Sequence, residues 1–251
     1  MGEGDFMDAE QVASAIVKWM QKQLSVAGAQ GFVVGVSGGV DSAVVLGLSA
    51  RAAPGRVLAL VMPCESQAQD LEDAERVIQH FGVEKARVDL TPVYHQLLAQ
   101  FTCGDCAPPL AKANLKPRLR MISLYFYANT LNYLVAGTGN RSEAVMGYFT
   151  KYGDGGVDIL PIGCLLKREV REIARYLGVP GGVITKPPTA GLWAGQTDEG
   201  EMGVTYAELD ELLYAGVGSP ALAQLVHQRF VGSHHKRVVA PVPERFQIGL
   251  S

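Results

Sequence analysis

The run Gly31-Phe-Val-Val-Gly-Val-Ser-Gly-Gly-Val-Asp-Ser42 decides the fold class of this 251-residue chain. It begins with a short, continuous apolar stretch, which is typical of a parallel strand that is covered on both faces. The segment from Ala43 to Ala53 has the composition of a helix and is stopped by Pro54-Gly55. The glycines and hydroxyls between these segments are therefore predicted to form a tight turn from a strand into a helix.

The same alternation of strand and helix continues along the chain. An amphipathic helix capped by Asp8 precedes the first strand. The further predicted elements are strand 56–62, helix 70–81, strand 85–90, helix 92–100, helix 114–132, strand 133–137, and helices 167–177, 205–215 and 220–231. Strands that alternate with helices favour right-handed crossovers and a parallel sheet. We therefore predict an α/β fold with a doubly wound, mostly parallel sheet and helices on both faces, in a single domain over residues 1–251.

Two segments show no period and are expected to be loops. One is rich in polar residues and glycine and runs from residue 138 to residue 156. The other, Thr185 to Gly203, combines glycine, proline and polar residues, and we expect it to be a mobile loop near the site.

Composition excludes several classes of function. The net charge of −3 argues against a general binder of nucleic acid, whose affinity comes mostly from clustered Lys and Arg. The first residues lack the pattern of a secretory signal, and the chain has no apolar run long enough to span a membrane. We expect a cytoplasmic protein that binds small molecules and neither nucleic acid nor a membrane.

The four cysteines are too few for a disulfide framework in a chain of this length. Cys64 and Cys164 are predicted to be small, buried apolar side chains. The pair Cys103-Gly-Asp-Cys106 has a spacing that suits a metal or a redox pair. Because a structural zinc requires four ligands, the favoured interpretation is a pair of loop thiols without catalytic duty.

The turn Ser37-Gly-Gly-Val-Asp-Ser42 is predicted to bind phosphate. Backbone N–H groups and the helix dipole make the start of a helix an anion site, and Gly38 and Gly39 allow a close approach of phosphate oxygens. The serine hydroxyls add donors, and Asp41 can hold a magnesium ion. The Gly-Lys-Ser/Thr ending of the usual kinase and GTPase loop is absent. The alternative is a tight turn with a Ser/Asp cap.

This run resembles the pyrophosphate-binding loop of the ATP pyrophosphatase superfamily, also called adenine nucleotide alpha hydrolase-like. Members adenylate an acyl or carbonyl oxygen and release pyrophosphate. The superfamily includes GMP, asparagine, argininosuccinate and NAD synthetases as well as tRNA-modifying enzymes. The loop alone does not choose among them.

Further runs resemble the ammonia-dependent NAD synthetases. They are Asn114-Leu-Lys-Pro-Arg-Leu-Arg-Met121, Leu134-Val-Ala-Gly-Thr-Gly-Asn-Arg-Ser-Glu143, Gly147-Tyr-Phe-Thr-Lys-Tyr-Gly-Asp-Gly-Gly-Val-Asp158, Lys186-Pro-Pro-Thr-Ala-Gly-Leu-Trp-Ala-Gly-Gln-Thr-Asp-Glu199 and His235-Lys-Arg237. At helical spacing Asn114, Arg118 and Met121 share one face. Taken alone, two arginines on a helix indicate a solvated face, Glu143 indicates a helix cap, and the run 147–158 indicates an Ω-loop packed by its own tyrosines.

The resemblance implies a role for each site residue. The ATP-binding residues would be Ser37, Gly38, Gly39, Val40, Asp41, Ser42, Thr138, Lys167 and Thr189. The residues that bind deamido-NAD would be Asn114, Arg118, Lys151, Asp154, Asp158, His235 and Lys236. Asp41 and Glu143 would hold Mg²⁺, and the catalytic residues would be Asp154, Lys151 and Asp41.

The implied reaction converts deamido-NAD to NAD. ATP would adenylate the nicotinate carboxylate with release of pyrophosphate, and ammonia would then displace AMP. We expect free ammonia to be the nitrogen source because only 36 residues precede Ser37 and none of the cysteines can be assigned to a glutaminase. The resemblance also implies a homodimer built from the long helices, with which the apolar and aromatic content of residues 122–133 is compatible.

Two departures from the family pattern and two other functions remain open. Gly191 stands where an Asp is usual, and Leu160 stands where an Asn commonly precedes the proline. A tRNA-thiolating enzyme is supported by the Cys103/Cys106 pair, but the chain lacks the expected basic surface. An inactive nucleotide-binding homologue is consistent with the two departures.

Overall fold

A parallel four-stranded sheet forms the centre of the described part of the chain. In the computed structural model, residues 7–103, 106–189, 191, 193 and 195–243 are described. The strands are β1 (Gly31–Gly35), β2 (Val57–Val61), β3 (Glu84–Arg87) and β4 (Tyr133–Val135), in the order β3-β2-β1-β4. The chain moves outward from β1 to β3 and then returns to the opposite side of β1. This reversal makes the carboxyl ends of β1 and β4 the expected place for a ligand.

Helices connect and flank the strands. In chain order they are α1 (Ala9–Ala27), α2 (Val40–Ala52), α3 (Ala68–Phe81), α4 (Thr91–Gln100), α5 (Pro109–Ala113), α6 (Leu115–Leu131), α7 (Arg141–Met146), α8 (Lys167–Tyr176), α9 (Gly181–Thr185), α10 (Asp198–Met202), α11 (Tyr206–Ala215) and α12 (Pro220–Gly232), followed by a 3₁₀ turn at His234–Lys236.

Alternate side chains of the strands enter two cores. Phe32 and Val34 of β1 point to one face, where α1, α2, α3 and α8 cover the sheet. Val33 points to the other face and packs with residues of α4 and α6. Because both faces of the sheet are covered, the central strands β1 and β2 are buried and almost wholly apolar, whereas the edge strand β3 is charged and mostly exposed. The predicted doubly wound α/β architecture is confirmed.

Local signals set most helix ends. Asp8 accepts a hydrogen bond from the Gln11 amide at 3.0 Å and caps α1. Gly82 and Asn132 end α3 and α6 in left-handed conformations. Helix α2 begins at Val40 and not at Ala43, so the second half of the predicted phosphate loop lies in its first turn.

Other sequence predictions were wrong. Helices α5, α7, α9 and α10 lie where no period was visible, because five or six residues are too few to show a helical repeat. The segment 185–203 is therefore not wholly a loop. Cys64 is buried as predicted, but Cys164 is exposed because it lies in a turn that precedes α8.

None of the described helices combines the length and the apolar character needed to cross a membrane.

Candidate active site

A cavity of about 590 Å³ opens at the carboxyl ends of the strands. Its wall is formed by the start of α2, one side of α6, the segment that follows β4, and the residues before and within α10. Of the residues proposed from sequence, the wall includes Ser37, Gly39, Val40, Asp41, Ser42, Asn114, Thr138, Glu143, Asp154, Lys167, Thr189 and Lys236. The structure therefore brings together residues that are far apart in the chain.

The phosphate loop has the shape of an anion site. Gly38 adopts φ +81°, and a Cβ there would lie 2.3 Å from the carbonyl oxygen of Asp70, so only glycine fits. Within the described part of the chain, no side chain caps the first turn of α2, which leaves its N–H groups available at the cavity. The Ser42 hydroxyl donates to the Gly39 carbonyl at 2.9 Å and lies 3.2 Å from the Ser37 hydroxyl. The loop therefore offers backbone and hydroxyl donors to a phosphate.

A buried lysine bridges two carboxylates beside this loop. The Lys167 side chain is 2% exposed, and its Nζ lies 2.5 Å from Asp41 Oδ2 and 3.5 Å from Glu143 Oε1. Burial alone would lower the pKa of Lys167, but the charges of Asp41 and Glu143 outweigh it and raise that pKa above its ordinary value. The ammonium ion is therefore firmly protonated. Asn140 Nδ2 donates to the other oxygen of Asp41 at 2.9 Å.

Glu143 is both a helix cap and a residue of the cavity. Its Oε2 accepts a hydrogen bond from the Asn140 amide at 3.1 Å, which completes a capping box at the start of α7. Its Oε1 faces Lys167 and lies 3.4 Å from the Tyr206 hydroxyl. Burial, and then the nearby charge of Asp41, raises the pKa of Glu143 above its ordinary value. The two functions suggested for this residue by its sequence context are therefore compatible.

Asp41 and Glu143 suit a magnesium ion. Mg²⁺ in phosphate-transferring sites is held by one or two carboxylates together with phosphate oxygens. These two carboxylates both lie within 3.5 Å of one ammonium group, and Asp41 belongs to the predicted phosphate loop. Among the described residues, no group of three or more His, Cys, Asp or Glu side chains could hold a metal ion. Their role as magnesium ligands stays a prediction.

One buried carboxylate of the cavity, Asp198, was not among the site residues predicted from sequence. Asp198 is 4% exposed and lines the cavity, with Oδ2 accepting from the Tyr206 hydroxyl at 3.0 Å. Its Oδ1 is the buried side-chain oxygen that has no hydrogen-bond partner among the described residues. Burial raises the pKa of Asp198, although Lys167 offsets part of the effect. Asp198 lies in the run 186–199 that resembles the family, so this motif was the available signal, whereas the contact with Tyr206 is set by tertiary structure.

Asp154 also lines the cavity, on the turn that follows α7. Its Oδ1 accepts a hydrogen bond from the Thr150 amide at 2.8 Å, and the Thr150 hydroxyl donates to Asn114 Oδ1 at 2.7 Å. Lys236 reaches over this turn and donates to the carbonyls of Gly147 and Phe149 at 2.8 and 2.9 Å. Enclosure by protein raises the pKa of Asp154, and the Thr150 hydrogen bond offsets part of that rise. The motif 147–158 therefore forms a tied turn with a carboxyl facing the cavity.

The other proposed substrate residues lie outside the cavity wall. Arg118 donates to the carbonyl of Lys151 at 3.3 Å, and Lys151 Nζ donates to the carbonyl of His235 at 2.5 Å. Asp158 accepts hydrogen bonds from the Tyr125 hydroxyl at 2.9 Å and from the Val135 amide at 2.8 Å. These four residues lie close to the Asp154 turn and not within the cavity, and their substrate roles stay predictions.

Two further cations of the site were not predicted. Arg120 lines the cavity and donates to the carbonyl of Met62 at 3.2 Å. Lys186 also lines it, with Nζ 2.6 Å from Asp70 Oδ1 and 2.7 Å from Asp73 Oδ2. Arg120 stands in the same Arg-x-Arg motif as Arg118, so the motif itself was the available signal. Lys186 ties the segment that carries Thr189 to the start of α3.

The two departures from the family pattern differ in position. Gly191 lines the cavity with φ +62°, and a Cβ there would lie 4.0 Å from Asp70 Oδ2. An aspartate at this position would place a second negative charge near Asp70, and its backbone would be strained. Leu160 is half exposed and packs beside Gly137, outside the cavity wall.

The cysteine pair lies away from the cavity wall. Cys103 and Cys106 are exposed, and Cys106 Sγ lies 3.5 Å from the Cys103 carbonyl oxygen. Their role as loop thiols stays a prediction.

Comparison with known proteins identifies the relatives of this chain. The sequence model for the family described as NAD synthase matches residues 12–240. An NH₃-dependent NAD⁺ synthetase of Carboxydothermus hydrogenoformans is 50% identical over 236 residues, which cover 93% of this chain and 97% of the relative. An NMN synthetase structure from Francisella tularensis is 40% identical, with a TM-score of 0.89 and coverage of 95% of this chain and 99% of that one. An NH₃-dependent NAD synthetase structure from Campylobacter jejuni, in complex with nitrate, is 30% identical, with a TM-score of 0.79 and coverage of 95% and 100%.

Proposed function

Because this chain belongs to the NAD synthase family, we propose that its cavity performs the ATP-dependent amidation of deamido-NAD with ammonia, as a ligase that forms a C–N bond. The products are NAD, AMP and pyrophosphate. The observation that carries this proposal is the convergence of an uncapped helix start, a Lys167-bridged pair of carboxylates and Asp154 on one cavity.

The chemistry explains why these groups share a cavity. A carboxylate is a poor electrophile, so its oxygen must first become part of a better leaving group. The nicotinate oxygen attacks the α-phosphorus of ATP, and the bond from that phosphorus to the pyrophosphate oxygen breaks. The N–H groups at the start of α2 and the Lys167 ammonium stabilise the negative charge on the departing pyrophosphate.

Amide formation is the second step of the reaction. Neutral ammonia attacks the carbonyl carbon of the adenylate, AMP leaves with the bonding electrons, and the nitrogen loses a proton. Asp154 would hold the incoming nitrogen and accept this proton, a role supported by the Thr150 amide, which fixes the orientation of the carboxyl. Asn114 and Lys236, which fasten the same turn from both sides, would contact the nicotinate end of the substrate.

Magnesium would be held by Asp41 and Glu143. When bound with ATP, the ion supplies charge stabilisation for the phosphates. Lys167, which neutralises part of the charge of these carboxylates, would contact phosphate oxygens of the bound nucleotide.

Four residues that lie outside the cavity wall would extend the substrate site. Arg118, Lys151, Asp158 and His235 surround the Asp154 turn, where they would contact the parts of deamido-NAD that extend beyond the cavity. Arg120 adds a guanidinium inside the cavity, a group that pairs well with phosphate or carboxylate.

A homodimer is supported by the outer side of α6. Ile122 and Phe126, one helical turn apart, are 60% and 66% exposed. Large apolar side chains that share an exposed face are typical of a protein–protein interface. We propose that this face of α6 packs against a second copy of the chain.

A second candidate substrate follows from one comparison. The NMN synthetase of F. tularensis has the highest TM-score of the structures named above, 0.89 against 0.79. Formation of NMN by the same chemistry would start from nicotinate mononucleotide. This molecule carries the same reacting carboxylate as deamido-NAD but lacks the adenylate half.

One assay separates these possibilities. The purified chain is given ATP, Mg²⁺ and ammonium, with deamido-NAD or nicotinate mononucleotide, and pyrophosphate and the amide product are quantified. We expect a higher kcat/KM with deamido-NAD. A higher kcat/KM with the mononucleotide would assign the alternative substrate, and no pyrophosphate with either would reject the proposed function in favour of a thiolating enzyme or an inactive homologue.

A further inference from the structure

Helix α11, which follows the last segment of the cavity wall, has two buried polar side chains that contact residues of the site. Tyr206 and Asp210 are one helical turn apart and are 1% and 2% exposed. A buried carboxylate and a buried hydroxyl are costly unless each finds a partner. Their partners therefore show what this face of α11 holds in place.

Tyr206 contacts three charged groups at the phosphate end of the cavity. Its hydroxyl donates to Asp198 Oδ2 at 3.0 Å and lies 3.4 Å from Glu143 Oε1. Its ring lies under the Lys167 ammonium, with 4.9 Å between Nζ and the ring centroid. A single phenol thus faces the ammonium, its carboxylate partner and the first residue of α10.

Asp210 fastens the backbones that carry two of those groups. Its Oδ1 accepts from the Ser142 hydroxyl at 2.5 Å, and its Oδ2 accepts from the Arg168 amide at 2.8 Å. Ser142 precedes Glu143 in α7, and its hydroxyl oxygen also accepts from the Lys167 amide at 3.2 Å. The carboxylate therefore joins the first turn of α7 to the first turn of α8.

The Asp198 contact extends this scaffold to the segment that holds Thr189. The Asp198 amide donates to the carbonyl of Pro188 at 3.1 Å, which closes the base of the intervening loop. Fixing Asp198 from α11 therefore also fixes the position from which Thr189 enters the cavity.

We propose that Tyr206 and Asp210 are positioning residues for ATP, setting Glu143, Lys167 and the base of the Thr189 segment from one face of α11. This inference rests on the proposed function, because the groups that are positioned are those assigned to ATP and its metal. Among the described residues, no hydrogen bond joins the side chain of Tyr206 or of Asp210 to the turn that carries Asp154. Their loss should therefore affect the two substrates differently.

Two conservative variants test the proposal. Tyr206→Phe removes the hydroxyl and keeps the ring against Lys167. Asp210→Asn keeps an acceptor for the Arg168 amide and places an amide where Ser142 needs an acceptor. Tyr214→Phe is the matched control, because Tyr214 lies on the exposed side of α11 with its ring against Arg168.

The binding of MgATP and of deamido-NAD is measured separately by titration calorimetry, which needs no turnover, and steady-state KM values and Tm are recorded. For Tyr206→Phe we expect MgATP binding to weaken about tenfold, as for loss of one hydrogen bond to a charged group. Deamido-NAD binding should remain within about twofold of the original value, as should both ligands in Tyr214→Phe. Asp210→Asn should show the same selective loss.

If a variant binds MgATP and deamido-NAD equally weakly, the proposal is overturned, because this outcome indicates general structural damage. Unchanged MgATP binding in both conservative variants would also overturn it. Failure of the proposed function is a different result. In that case the original chain itself would release no pyrophosphate with deamido-NAD, whatever the variants show.

Discussion

Replacing Lys167 by methionine should destabilise the ligand-free protein and weaken ATP binding, for reasons that the structure separates. Methionine removes the charge and keeps most of the length of the side chain. It leaves Asp41 and Glu143, whose side chains are each 17% exposed, facing one another without the ammonium between them. Removing one partner of a buried ion pair costs roughly 3–5 kcal/mol. We expect about 3 kcal/mol, because partial access to water and protonation of Glu143 relieve some of the repulsion.

The loss should depend on pH. Since burial and Asp41 raise the pKa of Glu143 on folding, its protonated form favours the folded state at low pH. That contribution disappears as the pH rises through the folded-state pKa. Without Lys167 the two carboxylates then repel each other fully, so the free energy of unfolding should fall further at mildly alkaline pH than at mildly acidic pH. Added Mg²⁺ should restore part of it.

Urea unfolding of the original chain and of Lys167→Met, at both pH values and with and without MgCl₂, measures these differences. Lys85→Met is the control, because Lys85 pairs with Glu75 on the surface and such pairs contribute about 1 kcal/mol or less. A Lys167→Met protein as stable as the original at alkaline pH would refute the reasoning. In the same variant, loss of a charge-assisted contact to phosphate should weaken ATP binding by about tenfold or more.

Three further outcomes are expected. The Mg²⁺ concentration needed for half-maximal pyrophosphate release without ammonia should fall as the pH rises. The reason is that the pKa of Glu143 is raised, so that protons compete with the metal for this carboxylate. A Mg²⁺ requirement that does not change with pH would contradict this. Asp154→Asn should reduce NAD formation from the adenylated intermediate much more than MgATP binding, as single-turnover measurements can show, and an equal loss in both would exclude its assignment to the ammonia step. Phe126→Glu should convert the proposed dimer to a monomer in sedimentation at micromolar concentration, while Val26→Glu, an exposed apolar position on α1, should not.

The fold could be predicted because its longest elements carry strong local signals. The apolar strands β1 and β2 carry such a signal, and Gly82 marks the end of α3. In α12, Ser219 is the N-cap and Pro220 is the first helical residue, both of which are residue types favoured at those positions. The strand β4 ends two residues before its predicted end, and beyond it Ala136 forms an isolated bridge with Ile159, a residue of a later segment. Patterns that depend on local residues were thus more informative than those that depend on neighbours in space.

The sequence predicted that α6 lines the site, but it did not predict correctly which residues of α6 face the cavity. Helical spacing placed Asn114, Arg118 and Met121 on one face, but Asn114 and Met121 line the cavity whereas Arg118 lies outside it. Arg120 occupies the cavity instead. When a helix is apolar on one side only, its sequence shows which face packs against the core. Helix α6 carries exposed apolar residues on its outer side, so its apolar pattern does not define a single buried face.

Glu143 shows why a structural and a functional interpretation of one residue need not compete. A carboxylate has two oxygens, and in this chain they point to different neighbours: Oε2 to the amide that starts α7, and Oε1 to Lys167 and Tyr206. The hydrogen bond that caps the helix also fixes the carboxylate plane, and therefore fixes the direction in which the second oxygen faces the cavity. Capping is thus part of how the site is positioned, since a glutamate free to rotate would lose side-chain entropy on binding a metal. The same argument applies to Asp210, whose two oxygens join α7 to α8 and so hold other residues of the site in place.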